Sequence, residues 1–169
     1  MLVYGLMTMA ANAGSTTDLT VLVGPATANL GVGVGVRGDR WWGRFASGLT
    51  LVHQFGTRQG GTPGFGRRST YLALEPSVRI CDPRAACGDH GLQIASFLGL
   101  GAMLTTTVTR VDEDRTTARI GTALLYGGGR MDVDIGSAFR LGTDLRLLVP
   151  TNPGAKLALA MSVTAARSF

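Results

Sequence analysis

Apolar residues alternate with small or polar ones along most of the chain, with the period of two that marks β-strands. The run nearest the C-terminus is the clearest. Leu157, Leu159, Met161, Val163, Ala165 and Phe169 share one parity, against Lys156, Ala158, Ala160, Ser162, Thr164 and Ser168. In 28–37, Leu30, Val32, Val34 and Val36 alternate with Gly31, Gly33, Gly35 and Arg37. The same test predicts eight strands, at 18–27, 28–37, 42–56, 70–80, 91–109, 116–135, 140–149 and 155–169.

Hydropathy alone would read two of these regions differently. The stretches 19–36 and 91–109 carry no charge and approach the ~18–20 residues of a membrane helix. Periodicity decides against helices. In 91–109, Leu92, Ile94, Leu98, Leu100, Ala102 and Leu104 fall on one parity; Gln93, Ala95, Gly99, Gly101 and Thr105 fall on the other. Only Phe97 and Met103 break the pattern. In 116–135, Ile120, Leu124 and Tyr126 take one parity and Met131, Val133 and Ile135 the other. A β-bulge at Gly127–Gly129 would return both sets to one face. Connections at Gly56–Ser69, Arg110–Arg115 and Pro150–Gly154 fall on one end of an up-and-down chain. Those at Arg37–Trp41, Cys81–His90 and Gly136–Phe139 fall on the other.

Alternation does not say which face points inward. A soluble lipocalin-like barrel would hide the apolar face and show water a surface dense in Lys and Glu. Here the polar face is mostly Gly, Ala, Ser and Thr, with Arg44, Glu75, Arg79, Arg119, Asp134, Asp144 and Arg146 spaced along it. Small residues with a few charges that pair suit a narrow lumen. In lipid, only a closed barrel satisfies every strand's backbone groups. The expectation is an all-β, eight-stranded antiparallel up-and-down transmembrane barrel, apolar side out, with those seven residues in a polar network inside.

Composition narrows the function classes. Only 16% of the 169 residues are charged, against a typical ~25%, and glycine, at 25, is about twice its usual share. Disorder and coiled coil are both excluded. The charge of +5 suggests nucleic acid, but the arginines are scattered, with only Arg67 and Arg68 adjacent, and nucleic-acid binding is not expected. Cys81 and Cys87 bracket a turn. His53 and His90 do not complete a zinc pattern, so no metal or cofactor is expected. A local disulfide fits better than a reactive or metal-binding thiol pair, and places the chain in an oxidising compartment.

The alternating strands of about ten residues, the rhythm of short turns and long loops, and the terminal Ala155–Phe169 strand resemble the small outer-membrane β-barrels of the OmpA/OmpW-like kind. Arg167 departs from that pattern, standing where such a strand carries an apolar residue. The resemblance implies a bacterial outer-membrane location, with lipid, lipopolysaccharide and the barrel-assembly machinery as partners, and a monomer. The role it implies is structural, anchoring or surface-interacting. A membrane-embedded enzyme of the lipid A deacylase kind is the alternative. His53 would supply its base, yet no serine and acid accompany it in triad order, and no catalytic residue is assigned. Trp41, Trp42, Phe139 and Phe169 read as an interfacial aromatic girdle rather than a ligand platform. Residues 1–16 read as a signal-peptide remnant or N-terminal extension, from the Leu2–Ala10 apolar run and Ala11-Asn12-Ala13, with one domain over 17–169.

Overall fold

The computed structural model describes residues 15–28, 30–56, 66–81, 91–111, 114–152 and 156–169. Eight strands close into a barrel in chain order: β1 (Ser15–Ala26), β2 (Gly31–Trp42), β3 (Phe45–Gln54), β4 (Gly66–Cys81), β5 (Leu92–Val111), β6 (Asp114–Asp134), β7 (Phe139–Pro150) and β8 (Ala158–Ser168). Every neighbouring pair is antiparallel, and β8 closes on β1 through pairs such as Leu22–Thr164. Closure leaves no free edge around the wall, which is what lipid demands of a sheet. The leader reading and the Gly56–Ser69 and Cys81–His90 connections fall largely outside the described residues. β1 itself begins at Ser15.

Parity sorts the side chains as a lipid-facing barrel requires. Leu19, Val21 and Val23 of β1, Leu72 and Leu74 of β4, and Leu159, Met161 and Val163 of β8 all point outward and are exposed. From Leu159 to Phe169 the outward series of β8 and the residue after it, apolar except at Arg167, spans ten residue steps, ~33 Å along the strand. At a tilt of ~40° that projects to ~25 Å, the height of an outer-membrane apolar band.

The interior holds two layers. Towards one end, Tyr71, Met103, Leu124, Tyr126, Leu148 and their neighbours form an apolar cluster. Towards the other, polar and charged side chains surround Trp41. Glycine makes room for the large residues: a Cβ at Gly99 would run into the Tyr126 ring, and one at Gly48 into the Asp39 carboxylate. Part of the glycine enrichment is therefore a consequence of filling a narrow lumen.

Two expectations about local structure are corrected. The segment Arg37–Trp41 is strand, not turn; the chain reverses at Gly43–Arg44, where Gly43 takes a φ of 60°. Nor is there a bulge at Gly127–Gly129, because β6 pairs without interruption with both β5 and β7 through these residues. Leu124 and Tyr126 point inward instead, into the apolar layer, while Leu125, Met131, Val133 and Ile135 belong to the outer wall. The register does shift elsewhere, between Arg79 and Cys81 of β4.

Candidate functional site

The most concentrated chemistry in the molecule is inside the barrel. Glu75, on β4, is fully buried, accepts hydrogen bonds from Arg37, Thr50 and Tyr126, and forms an ion pair with Arg146. Arg37 approaches its Oε1 at 3.3 Å; Arg146 Nη1 at 3.2 Å, Thr50 Oγ1 at 3.0 Å and Tyr126 Oη at 2.7 Å approach Oε2. Asp144, also buried, joins the same two arginines: Arg37 Nη1 at 2.7 Å, and Arg146 Nε and Nη2 at 2.7 and 2.9 Å. Strand alternation places Asp144 and Arg146 two residues apart on one face, and β2 and β4 bring Arg37 and Glu75 to the same level.

A second group lies nearer the turn end, the end bearing the Gly43–Arg44 reversal. Asp39 bridges Arg37 Nε at 3.1 Å and Arg130 Nη1 at 2.7 Å. Thr164 donates to Asp132 at 3.1 Å, beside Arg130 Nε at 3.6 Å. Asp18 receives Arg140 at 2.5 Å and Ser168 Oγ at 2.8 Å, with Arg79 Nη2 at 4.0 Å. The Trp41 ring is held between two guanidiniums, Arg79 at 4.0 Å and Arg130 at 4.9 Å from its centroid.

Among the described residues, five arginines (Arg37, Arg79, Arg130, Arg140, Arg146) and five carboxylates (Asp18, Asp39, Glu75, Asp132, Asp144) point into the lumen. Their formal charges cancel, so the net charge of +5 belongs to the outer surface and the connections. A buried charge without a partner costs several kcal/mol, so balance is a condition of assembly.

Of the seven residues expected in this network, Glu75, Arg79, Asp144 and Arg146 lie in the lumen. The other three do not. Arg44 occupies the β2–β3 turn and is exposed, because the strand it was assigned to starts one residue later. Arg119 is exposed near the far end of β6, on the outward parity. Asp134 shares the inward parity but sits at the end of β6, exposed beside Gln93. Arg37, Asp39, Asp18, Arg130, Asp132 and Arg140 were missed. Their signal was parity: Arg37, Asp39 and Trp41 continue the inward series of Gly31 and Gly33.

The girdle reading is also divided. Trp42 faces outward at the rim with Phe139 and Phe169, both exposed. Trp41 is 1% exposed and belongs to the lumen. Its position next to the turn suggested a girdle, but adjacent strand residues face opposite ways.

Cys81 ends β4 and is disulfide-bonded, while Cys87 lies outside the described residues. His53 faces outward, with Nδ1 2.8 Å from Thr70 Oγ1 and its ring edge-on to Phe55. Ser69 is on the opposite side of the wall, buried and paired with Thr105. It is therefore out of reach as a nucleophile for His53. No group of three or more His, Cys, Asp or Glu suited to a metal ion occurs among the described residues.

A closed eight-stranded barrel, apolar outside and filled with paired charges inside, has the architecture of small outer-membrane β-barrels. Solved structures agree. The chain is similar to a major outer membrane protein from Thermus thermophilus, with a TM-score of 0.74 over 92% of this chain and all of that one, at 11% identity. It is similar to Neisserial surface protein A, at a TM-score of 0.61 and 8% identity over 93% of this chain and 98% of that one. It is also similar to the N-terminal β-barrel domain of Pseudomonas aeruginosa OprF, at 0.60 and 10% over 91% and 97%. No protein-family model and no curated protein matches the chain.

Proposed function

We propose that the protein is an integral barrel of a bacterial outer membrane, with a structural, anchoring or surface-interaction role. One observation carries this reading. Among the described residues, the outward charges (Arg40, Arg68, Arg119 and Arg167) all stand near strand ends, while the band between them is mainly Leu, Val, Ile and Met, with small or uncharged polar residues between. That distribution serves lipid contact and is costly in water. Tyr71, Leu124 and Leu148, each at most 2% exposed, pack in one apolar cluster inside the barrel, which supports a lumen filled by side chains. Short turns face the periplasm in such barrels, so β5 and β6, of 20 and 21 residues, extend towards the cell surface. There Arg67, Arg68 and Arg119 suit acidic lipopolysaccharide. A monomer delivered by the barrel-assembly machinery completes the reading.

Separation of inner and outer membranes on a density gradient tests it. The protein is expected in the outer-membrane fraction, resistant to carbonate extraction. Recovery in the soluble fraction would overturn it.

A further inference from the structure

At the turn end of the outer wall, two arginines stand where apolar residues are the rule. On β2 the outward series runs Val36, Gly38, Arg40, Trp42; on β8 it runs Val163, Ala165, Arg167, Phe169. In each case the arginine occupies the outward position one step inside the last aromatic residue. It is also held against aromatic rings. Arg40 lies 5.8 Å from the Trp42 centroid, and Arg167 lies 5.0 Å from Phe169 and 5.5 Å from Phe139.

Strand β1 separates them. Arg40 pairs with Thr17 and Arg167 with Leu19, so their Cα atoms are roughly 12 Å apart at the usual strand spacing. The hydroxyls of Ser15 and Thr17 face outward in the gap, and Arg40 Nη2 donates to Ser15 at 3.4 Å. The outward face of β8, β1 and β2 carries no carboxylate side chain among the described residues. Asp18 and Asp39 turn into the lumen, where arginines satisfy them.

Two cations at the depth of an aromatic belt, with no carboxylate side chain beside them on the outward face among the described residues, are suited to an anion from outside the protein. At that depth the available anion is the phosphate of a lipid headgroup. We propose that the β8–β1–β2 seam is a binding site for an anionic phospholipid of the periplasmic leaflet. Arg40 and Arg167 hold the headgroup phosphate region, and Ser15 and Thr17 donate to its oxygens. The site rests on the outer-membrane reading and adds a headgroup preference to it. Snorkelling of two arginines to water would give no such preference.

The test uses the full chain with Trp41→Phe, leaving Trp42 as the reporter, in mixed vesicles of phosphatidylglycerol and phosphatidylcholine. One lipid is brominated at a time. Phosphatidylglycerol is expected to quench Trp42 as though enriched about five-fold beside it, equivalent to ~1 kcal/mol of headgroup preference. The Arg40→Gln/Arg167→Gln variant should bring the enrichment to about one, and Arg68→Gln/Arg119→Gln at the other end should leave it unchanged. Equal quenching by the two lipids in the parent, or enrichment that survives Arg40→Gln/Arg167→Gln, would overturn the proposal. Loss of the enrichment on adding inorganic phosphate at constant ionic strength would overturn its assignment to lipid. Absence of quenching by either lipid would instead overturn the membrane reading beneath it.

Discussion

Arg37 and Asp144, 107 residues apart in sequence, meet at 2.7 Å in the centre of the barrel. No run of neighbouring residues announces this pair. It exists because β2 and β7 face each other across a closed wall, and both residues have inward parity. The pair also joins two carboxylates to two arginines, since Glu75 shares Arg37 and Arg146 with Asp144.

Truncating Glu75 is expected to be far more damaging than truncating its inward neighbour Ser77. Glu75→Ala leaves Arg37 and Arg146 with one carboxylate fewer and should cost ~3–5 kcal/mol. Ser77 donates only a long 3.4 Å bond to the Glu75 carbonyl, so Ser77→Ala should cost ~1 kcal/mol or less. Urea unfolding in vesicles, followed by the gel shift between unheated and heated samples, measures both. Equal losses would mean that the lumen charges contribute no more than a hydroxyl.

Gly99 and Tyr126 should behave as a coupled pair. Gly99→Ala drives a methyl into the Tyr126 ring and should cost ~1–3 kcal/mol. In a Tyr126→Ala background the same change should cost little, because the obstructing ring is gone. A cycle of these variants with additive losses would contradict the packing.

The two tryptophans should report opposite surroundings. Trp42, in the Trp41→Phe variant, is expected to be quenched by brominated lipid. Trp41, in Trp42→Phe, should be quenched little, being enclosed between Arg79 and Arg130. Comparable quenching would place both on the lipid face and reverse the inward assignment of β2.

Much of this arrangement was legible in the sequence. Strand number, closure and the outward set follow from period-two alternation, since β8 and β5 show it with few exceptions. What failed was the assumption that polarity marks a turn and that an apolar residue marks the outer wall. Arg37–Trp41 reads as a connection in the sequence, yet Arg37 and Asp39 belong inside, because in a narrow lumen charges pair. Leu124 and Tyr126 were placed outside because they are apolar, yet the lumen has an apolar layer of its own. Arg44 and Asp134 have inward parities but stand beyond the levels at which the wall encloses anything, whereas Arg119 has the outward parity. Sequence alone gives each residue a side, and not a height along the barrel axis.

The cysteines offer a chemical check. Unreduced protein, denatured in the presence of an alkylating agent, should show no modified thiol by mass spectrometry. After reduction it should show both Cys81 and Cys87 modified. Closing so short a loop removes about 2 kcal/mol of unfolded-state entropy by the loop-closure relation, so reduction should lower the urea midpoint. Two thiols that react before reduction would refute the bond.

Whether the apolar wall faces lipid is the question on which the rest depends, and refolding answers it most directly. Denatured protein is diluted from urea into plain buffer or into the same buffer with detergent micelles, then followed by circular dichroism and by size-exclusion chromatography. The expected result is β-sheet structure and a single species only with the amphiphile, with aggregation in its absence. A folded, monodisperse protein in plain buffer would contradict the account, since an outer surface of Leu49, Leu74, Leu100, Leu145 and Val163 would then be facing water.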